Sequence, residues 1–423
     1  MTDLIADIRF AARSLRRSSW FTTLAVVTLG VTIGGTTALF SLVDAVLLRQ
    51  LPFSEPQQLV EIWGRDSGRT GMRVPGAILE SLRATSKTLA VIGTHDPTSG
   101  VLETTDGAVE IRGETVSANF LDVFGVPPRA GRGFAVNDER PGAPAVLLVS
   151  FAFWRQHLGS NPDAVGRVLY MDNVPYTVIG IVPPEFRTRF VGSEPHFWTP
   201  YAGNKSRARE RELGYELVAR LSSGVTIEEA RHEVAAIASA VGVDGWDPRS
   251  RRLDLVPLKE EVVGNTAYAL TLLMAAVLVV LAIACANLAQ LLLARSDGRV
   301  TEFATRKAIG ARAVQLFRLA IVESLLLSIL GGLVGIVLAH WLVPVIRALA
   351  PSEIPRIAEA SVDGRVMALA LGLSAVTGCA FGVVPAVRLS RLSVVDAMKR
   401  ASASTSEHGG RFRSALVVAQ VAA

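Results

Sequence analysis

Thr301 to Arg312 reads TEFATRKAIGAR, a short charged stretch between two long apolar runs. Glu302 and Arg306 are four residues apart, a spacing that supports a helix, and Gly310 is a residue at which helices commonly stop. The apolar run on each side exceeds the roughly 20 residues that a membrane crossing needs. The stretch is therefore predicted to be a short helix against one membrane face. A solvated charged turn between two spans is the alternative.

Four apolar runs predict membrane spans, at residues 20–48, 266–294, 319–347 and 366–389. A cleaved signal peptide competes for the first run, but that run is much longer than the roughly 7–15 apolar residues of such a signal. Asp44 is interpreted as a snorkelling or helix-packing residue, because no partner charge lies within its span. A multi-span membrane bundle is the predicted class of this part of the chain.

Positive charge is concentrated in three segments and predicts the orientation. Residues 1–19, 294–318 and 388–413 carry net charges of +2, +4 and +4, whereas the whole chain carries +5. Cytoplasmic loops of membrane proteins carry such an excess of Lys and Arg, so the pattern indicates a cytoplasmic N-terminus and not a nucleic-acid surface. Residues 1–19 are predicted to be an amphipathic elbow helix, with one face of apolar side chains and another of arginines. The apolar side chains are Leu4, Ile8, Ala11 and Leu15, and the arginines are Arg9, Arg13, Arg16 and Arg17.

Residues 49–265 are predicted to be an α+β domain inserted between the first two spans. Alternating apolar patterns predict strands at 59–63, 109–116, 145–150, 216–221 and 253–258, and a hairpin at 168–182 with its turn at Asp172–Pro175. Helices are predicted at 76–85, 151–158 and 226–241. The last of them has the spacing of a capping box, with Thr226 as N-cap and Glu229 three residues later.

The inserted segment offers no pattern typical of an enzyme. Its histidines, at positions 95, 157, 196 and 232, are scattered without HExxH or an adjacent nucleophile, and are interpreted as surface or packing residues. Asp138 and Glu139 are interpreted as part of a solvated loop. Cys285 and Cys379 lie in apolar runs and give neither a disulfide framework nor a metal-type CxxC. No P-loop is present in the sequence, so no nucleotide site of that kind is predicted.

Three GxxxG pairs, in three different spans, predict close helix packing, within the chain or between subunits. They are Gly30/Gly34, Gly331/Gly335 and Gly378/Gly382. The predicted segments between and after the spans are a cytoplasmic loop at 295–318, a short outer loop at 348–365 and a cytoplasmic tail at 390–411. Residues 412–423 are apolar but only half as long as a span, and are predicted to begin a truncated fifth crossing.

Several motifs in one order resemble the MacB/FtsX-type permeases of ABC transporters. Glu302, Arg306, Ala308, Gly310 and Ala311 form the pattern E-x-x-x-R-x-A-x-G-A of the loop after the second span. The likeness continues through IVESLLLSILGGLVG (321–335) and FGVVPAVRLSRLSVVDAMKR (381–400). The inserted segment is similar to the MacB periplasmic core domain in GETVSANFLDVFGVPPRAGRGF (113–134), SFAFWRQHLGSNPDAVGR (150–167) and PYTVIGIVPPEF (175–186).

The resemblance implies that residues 301–312 contain a coupling helix that docks on a separate ATP-binding subunit. ATP and Mg would be held by that subunit, so this chain is expected to carry no cofactor and to be no enzyme. The implied coupling contacts are Glu302, Arg306, Ala308, Gly310 and Ala311, with a second cytoplasmic contact at Asp396, Lys399 and Arg400. In the family, ATP-driven motion passes through the spans to the outer domain, which acts on a periplasmic or outer-membrane client.

The function implied is a bacterial inner-membrane permease for export or extraction of an unknown substrate. Further expected partners are a second permease half or a second copy, a periplasmic adaptor or outer-membrane channel, and membrane lipids, with no nucleic acid. The partial fifth span is similar to the long, duplicated permeases, of which this chain would be the first half. An FtsX-like regulator of a periplasmic cell-wall hydrolase is the alternative, and a membrane-anchored enzyme would need a catalytic constellation in 49–265.

Overall fold

The computed structural model describes residues 2–66, 69–104, 107–186, 195–201, 214–243, 246–247, 250–264, 266–297, 313–350, 354 and 356–390. They form two compact units, a helical unit and an inserted unit that spans Gln50–Gly264. The helices are α1 (Thr2–Arg17), α2 (Ser19–Val43), α3 (Gly76–Thr85), α4 (Phe120–Phe124), α5 (Phe151–Gln156), α6 (Ile227–Ala240), α7 (Leu258–Val263), α8 (Thr266–Asp297), α9 (Ala313–Leu349) and α10 (Gly364–Ser390). A π-helical turn, Asp44–Leu48, follows α2 directly.

The helical unit is built from α1, α2, α8, α9 and α10. Helices α2, α9 and α10 pack against one another, α8 packs on α2 and α10, and α1 packs on α9 and α2. Among the residues that the structure describes, three segments are long and apolar enough to cross a membrane, at Ser19–Leu48, Thr266–Leu292 and Phe317–Leu349. Helix α10 has 27 residues, but the apolar part recognised in it, Gly364–Ala380, is shorter than a span. A fourth crossing therefore stays a prediction.

Three threonine side chains within α2 are accommodated by the helix itself. The hydroxyls of Thr28, Thr32 and Thr36 each donate a 2.8 Å hydrogen bond to the carbonyl four residues earlier. A hydroxyl bonded in this way carries no unsatisfied donor into an apolar environment. The threonines therefore do not count against a membrane-spanning role for α2.

Only part of the predicted apolar face of helix α1 packs against the protein. Ala11 and Leu15 are buried, together with Ser14, but Ile8 is 40% exposed. The buried face is rotated towards Asp7 and Ser14, because those side chains meet partners on α9. An apolar pattern alone does not distinguish a face that meets protein from one that meets lipid.

The inserted unit contains an eleven-stranded sheet. Its strands are β1 (Leu59–Asp66), β2 (Arg69–Met72), β3 (Leu89–Thr104), β4 (Gly107–Val116), β5 (Ala130–Gly131), β6 (Val146–Val149), β7 (Val168–Met171), β8 (Val174–Ile181), β9 (Phe197–Pro200), β10 (Glu216–Leu221) and β11 (Arg251–Pro257). The order is β11-β1-β10-β3-β4-β9-β6-β8-β5, with β2 beside β1 and β7 beside β3 and β8. Helices α3 and α6 bury their apolar side chains against one face of β1 and β10. Phe120, Phe124 and Trp198 pack in a core on the other face.

Most predicted elements of this unit are confirmed, with shifted ends. Helix α3 spans the predicted residues, and the capping box is present, since Glu229 N–H is bonded to Thr226 Oγ1 and Thr226 N–H to Glu229. The hairpin turn is shorter than predicted, because Asp172 and Asn173 alone make it, both with positive φ. Two such residues are typical of the tight turn that matches the strand twist.

Four strands were missed: the short β2 and β5, and β3 and β9. Strand β3 has 16 residues but contains Gly93, Pro97 and Gly100, which read locally as breakers. Strand β9, Phe197–Pro200, is only four residues long and is buried throughout. Their pairing with β4 stabilises both strands against the local signals, which is a tertiary effect that periodicity does not report.

Candidate functional site: the glycine seam and the Arg49 cluster

The predicted coupling residues Glu302, Arg306, Ala308, Gly310 and Ala311 lie outside the described residues. The predicted second contact, Asp396, Lys399 and Arg400, lies outside them as well. What the structure does describe is α9, whose first residue, Ala313, directly follows the predicted coupling segment. The contacts that α9 makes therefore define the candidate site.

Helices α2 and α9 meet along a seam of glycines. A Cβ added to Gly34 would lie 2.9 Å from the carbonyl oxygen of Gly335, and one added to Gly335 would lie 3.0 Å from the Gly34 nitrogen and 3.2 Å from the Gly30 oxygen. A Cβ on Gly331 would lie 2.5 Å from the Cβ of Leu29. The two helices thus touch backbone to backbone, which only small residues permit. We call Gly30, Gly34, Gly331 and Gly335 the glycine seam.

The third glycine pair faces α9 from the other side. A Cβ on Gly378 of α10 would lie 2.9 Å from Ser328 Cβ, and one on Gly382 would lie 2.7 Å from Ser324 Cβ. All three GxxxG pairs are thus used within one chain, and α9 is the helix that the other two approach.

An ionic cluster lies where α2 and its π-helical turn end, and we call it the Arg49 cluster (Asp44, Arg49, Arg356, Glu359 and Asp363). The guanidinium of Arg49 donates to Asp44 Oδ2 at 3.2 Å and to Asp363 Oδ2 at 2.9 Å. Asp44 is only 4% exposed, so its charge requires a partner. No partner lies within the predicted span itself, and Arg49 is one residue beyond its end.

The cluster also fixes the segment between α9 and α10. Arg356 donates from Nη1 to the Arg49 carbonyl at 2.9 Å and from Nη2 to Glu359 at 2.7 Å. Asp363 Oδ1 accepts from the N–H groups of Arg365 and Val366, which satisfies donors at the start of α10. The end of α2 and the start of α10 are thereby tied together. Alternating charges in 348–365 were visible in the sequence, but their partner on α2 was not.

A second charged cluster is buried inside the inserted unit. Glu61, Glu216, His95 and Glu114 project from the adjacent strands β1, β10, β3 and β4 onto one face of the sheet, and we call them the acid–histidine cluster. His95 Nε2 lies 3.7 Å from Glu61 Oε1 and His95 Nδ1 lies 3.8 Å from Glu216 Oε2. Trp198 Nε1 donates to Glu114 Oε2 at 3.1 Å. The sequence signal was an acid within an otherwise apolar strand, as in LVEIW.

Burial decides the protonation of this cluster. It raises the pKa of Glu61 well above its ordinary range and that of Glu114 to about 7. It lowers the pKa of the fully buried His95, so the imidazole favours its neutral form. Arg73 lies at the edge, where it donates to Glu216 at 3.2 Å and to Asp96. Taking charged groups out of water disfavours their charged forms, so burial favours the neutral forms of Glu61, Glu114 and His95.

Glu114→Gln is expected to stabilise the inserted unit at pH 8 and to leave it nearly unchanged at pH 4.5. A carboxyl whose folded pKa is raised from 4.5 to about 7 stabilises the fold most below pH 4.5, and this contribution is lost as the pH rises through 7. The difference between variant and wild type should therefore grow to about 3 kcal/mol. Amide hydrogen exchange of β4 in the full-length chain, corrected for intrinsic rates, measures it. A pH-independent difference would contradict the assignment.

The interpretation of Asp138 and Glu139 as part of a solvated loop was wrong. Asp138 is buried and accepts hydrogen bonds from Arg132 at 2.6 and 3.1 Å and from Ala135 N–H at 2.8 Å, which hold its pKa below the ordinary value. Glu139 accepts from Ala118 N–H. The pair is thus a structural anchor and not a solvated loop. Within the described part of the chain, no group of three or more His, Cys, Asp or Glu side chains is arranged to hold a metal ion.

Comparison with known families accounts for both units. Residues 22–237 match the MacB-like periplasmic core domain, and residues 274–394 match the FtsX-like permease C-terminal region. The chain belongs to the MacB/FtsX-type permeases of ABC transporters. It is therefore an inner-membrane permease with several membrane helices and a periplasmic domain. The permease part of such a transporter is not the part that hydrolyses ATP.

Among curated relatives, the permease is 29% identical over 286 residues to the macrolide export ATP-binding/permease protein MacB of Chromobacterium violaceum. It is 25% identical over 299 residues to the protein of that name from Salmonella paratyphi A. These alignments cover 67% and 69% of this chain but only 42% and 44% of the relatives. The permease thus matches less than half the length of proteins whose name includes an ATP-binding part.

Two solved structures are similar to the permease at low identity. The periplasmic region of MacB from Actinobacillus actinomycetemcomitans is 12% identical with a TM-score of 0.37, covering 50% of this chain and 92% of that one. The extracellular domain of the noncanonic ABC-type transporter YknZ from Gram-positive bacteria is 13% identical with a TM-score of 0.36, covering 46% and 99%.

Proposed function

We propose that this permease transmits ATP-driven motion from a cytoplasmic ATP-binding subunit to its periplasmic domain, for export or extraction of a substrate. The observation that carries the proposal is the glycine seam. Helix α9 starts immediately after the predicted coupling segment 301–312 and touches α2 backbone to backbone. Helix α2 and its π-helical turn lead to Arg49, after which the chain enters the periplasmic domain at Gln50.

Rigid contact is the physical support for such a role. Flexible side chains between two helices absorb a displacement by changing rotamer, whereas a backbone–backbone contact has no rotamers to change. The Arg49 cluster adds a second link, because it holds the end of α2 to the start of α10. A displacement of α9 would thus be transmitted to residue 49, with little of it absorbed by side-chain rearrangement.

The proposed orientation places the N-terminus and residues 301–312 in the cytoplasm. It is supported by the basic segments 1–19, 294–318 and 388–413. A membrane-impermeant thiol reagent applied to intact cells should label a cysteine introduced at Val136, which is 73% exposed in the periplasmic domain, and should not label one introduced at Arg9. If the Arg9→Cys variant alone were labelled, the orientation would be the opposite of the one proposed.

The proposed partners are a separate ATP-binding subunit, which holds ATP and Mg, and a second permease half or second copy. The sequence of this chain contains no P-loop, which supports placing hydrolysis outside these 423 residues. A periplasmic adaptor or outer-membrane channel would complete an export system. The match to the FtsX-like permease region equally supports regulation of a periplasmic cell-wall hydrolase. Proteins that co-purify with the permease discriminate the two, since a channel favours export and a hydrolase favours regulation.

Replacing Glu302 and Arg306 by alanine should lower the ATP hydrolysis stimulated by the permease. The experiment uses the full-length permease with its co-purified ATP-binding subunit in lipid nanodiscs. A loss of about tenfold, equivalent to 1.4 kcal/mol of coupling, is expected if these side chains contact the ATPase. Glu80→Ala with Arg155→Ala is the matched control, because it removes the same two charges from exposed positions of the periplasmic domain. Unchanged stimulation in the first variant would remove the coupling role.

A further inference from the structure

Helix α1 is joined to the first turns of α9 by two polar contacts. Arg318 Nε donates to Asp7 Oδ2 at 2.5 Å, and Ser14 Oγ donates to Glu323 Oε1 at 3.0 Å. Asp7 and Ser14 are seven residues apart and lie on one face of α1, two turns from each other. The two contacts therefore fix both the position and the direction of α1 along α9.

The Ser14–Glu323 contact is the more buried of the two. Ser14 and Glu323 are each only 9% exposed, and a hydrogen bond is electrostatically stronger when it is removed from water. The Arg318–Asp7 ion pair is more accessible to solvent, since its side chains are 39% and 20% exposed. An ionisable side chain in an apolar helix such as α9 is costly unless it has a partner, and Ser14 is a partner of Glu323.

Helix α1 is also fixed to α2. The hydroxyl of Thr22 donates to the Leu15 carbonyl at 2.8 Å, and Ser18 N–H donates to the same carbonyl at 3.2 Å. These bonds satisfy a carbonyl at the end of α1 that has no partner within its own helix. The corner between α1 and α2 is therefore defined by hydrogen bonds. Helix α1 thus bridges the beginning of α2 and the beginning of α9.

The other faces of α1 are turned away from the protein. Ile5 and Ile8 are 50% and 40% exposed, and Arg9, Arg13, Arg16 and Arg17 are exposed beside them. An exposed apolar strip beside arginines is the pattern of a helix in the membrane interface. Helix α1 is thus positioned to move along the membrane surface while attached to α9.

We propose that Asp7, Ser14, Arg318 and Glu323 form a latch that makes α1 move with the start of α9, so that a displacement of residues 301–312 is delivered to the beginning of α2 as well as to its middle. This inference rests on the proposed function and adds positioning residues to it. The glycine seam passes motion to the middle of α2, and the latch passes it to the beginning. With both engaged, α2 shifts as a rigid rod and does not tilt about the seam.

A charge swap tests the latch in the full-length permease in lipid nanodiscs. Asp7→Lys and Arg318→Glu should each raise amide hydrogen exchange over Phe317–Leu327 by about tenfold, the equivalent of 1.4 kcal/mol, because each places like charges together. Each should also lower ATP hydrolysis by the co-purified ATP-binding subunit. The double variant should restore both readouts. Arg9→Glu, with the same change in charge as Arg318→Glu on the exposed face, is the control and should alter neither.

The outcomes separate the latch from the proposed function. Unchanged exchange in the single variants, or failure of the swap to restore it, would overturn the latch. A latch that responds in exchange while stimulated hydrolysis stays constant would overturn its role in coupling. If the wild-type permease stimulates no ATP-binding subunit at all, the exchange result still decides the latch, and only the proposed function is lost. Glu323→Gln, which keeps an acceptor for Ser14, should behave more mildly than Ser14→Ala.

Discussion

Gly34→Ala is expected to destabilise the helical unit of the permease by roughly 1–3 kcal/mol. The added Cβ would lie 2.9 Å from the carbonyl oxygen of Gly335 and 3.0 Å from the Cβ of Leu338. The first of these is a backbone atom, so the two helices must move apart to admit the methyl group. Thermal unfolding of the full-length permease in detergent micelles, followed by circular dichroism, measures the effect. Stimulated ATP hydrolysis should fall as well, because the glycine seam is the proposed path of motion.

Gly35→Ala is the control for the glycine seam. It introduces the same methyl group one residue later, where no atom lies within 4 Å of the added Cβ. Alanine is favoured over glycine in a helix by up to about 1 kcal/mol, and both variants share that gain. Gly35→Ala should therefore be neutral or stabilising. Equal changes in the two variants would show that helix propensity, and not contact across the seam, determines the result.

Arg49→Met is expected to destabilise the permease by about 1–3 kcal/mol, because it removes one partner of a partly buried ion pair. Methionine keeps much of the apolar volume but leaves Asp44, at 4% exposure, without the guanidinium 3.2 Å away. Asp363 also loses a partner at 2.9 Å. Thermal unfolding of the full-length permease in detergent micelles measures this effect as well. Adding Asp44→Asn to Arg49→Met should recover part of the loss, because it removes the isolated charge.

An exposed ion pair supplies the comparison for Arg49. Arg65 lies 3.3 Å from Asp254 in the periplasmic domain, and its side chain is 51% exposed. Exposed pairs contribute roughly 0–1 kcal/mol, so Arg65→Met should have little effect. A similar loss in Arg49→Met and Arg65→Met would mean that the Arg49 cluster stabilises the bundle no more than a surface pair.

The predicted spans illustrate what local sequence determines. A helix that crosses a bilayer needs about 20 apolar residues. Whether a segment meets this requirement depends only on residues that are consecutive in the sequence. The helices α2, α8 and α9 therefore coincide with predicted runs to within a few residues at most ends. The capping box at Thr226 is determined in the same way, because both of its residues lie within one turn.

Contacts between distant residues are where sequence reasoning was incomplete. Three GxxxG pairs were visible, but nothing in the sequence indicated that two of them face each other and that the third faces serines of α9. The partner of Asp44 was not identified from the sequence, although Arg49 is five residues away. The acid–histidine cluster was missed because its members come from four strands spread over 156 positions, Glu61 to Glu216, that become neighbours only in the sheet.

By itself, the sequence determined the family, the apolar helices, the inserted α+β domain and most of its strands and helices. Each of these depends on a pattern that recurs within one run of residues, at the period of a helix or a strand. Only the tertiary structure decided that α9 is the helix that α2 and α10 both approach, that Arg49 neutralises Asp44, and that α1 is held by Arg318 and Glu323. Those contacts depend on which helices and strands become neighbours, and that choice is made by packing over the whole chain.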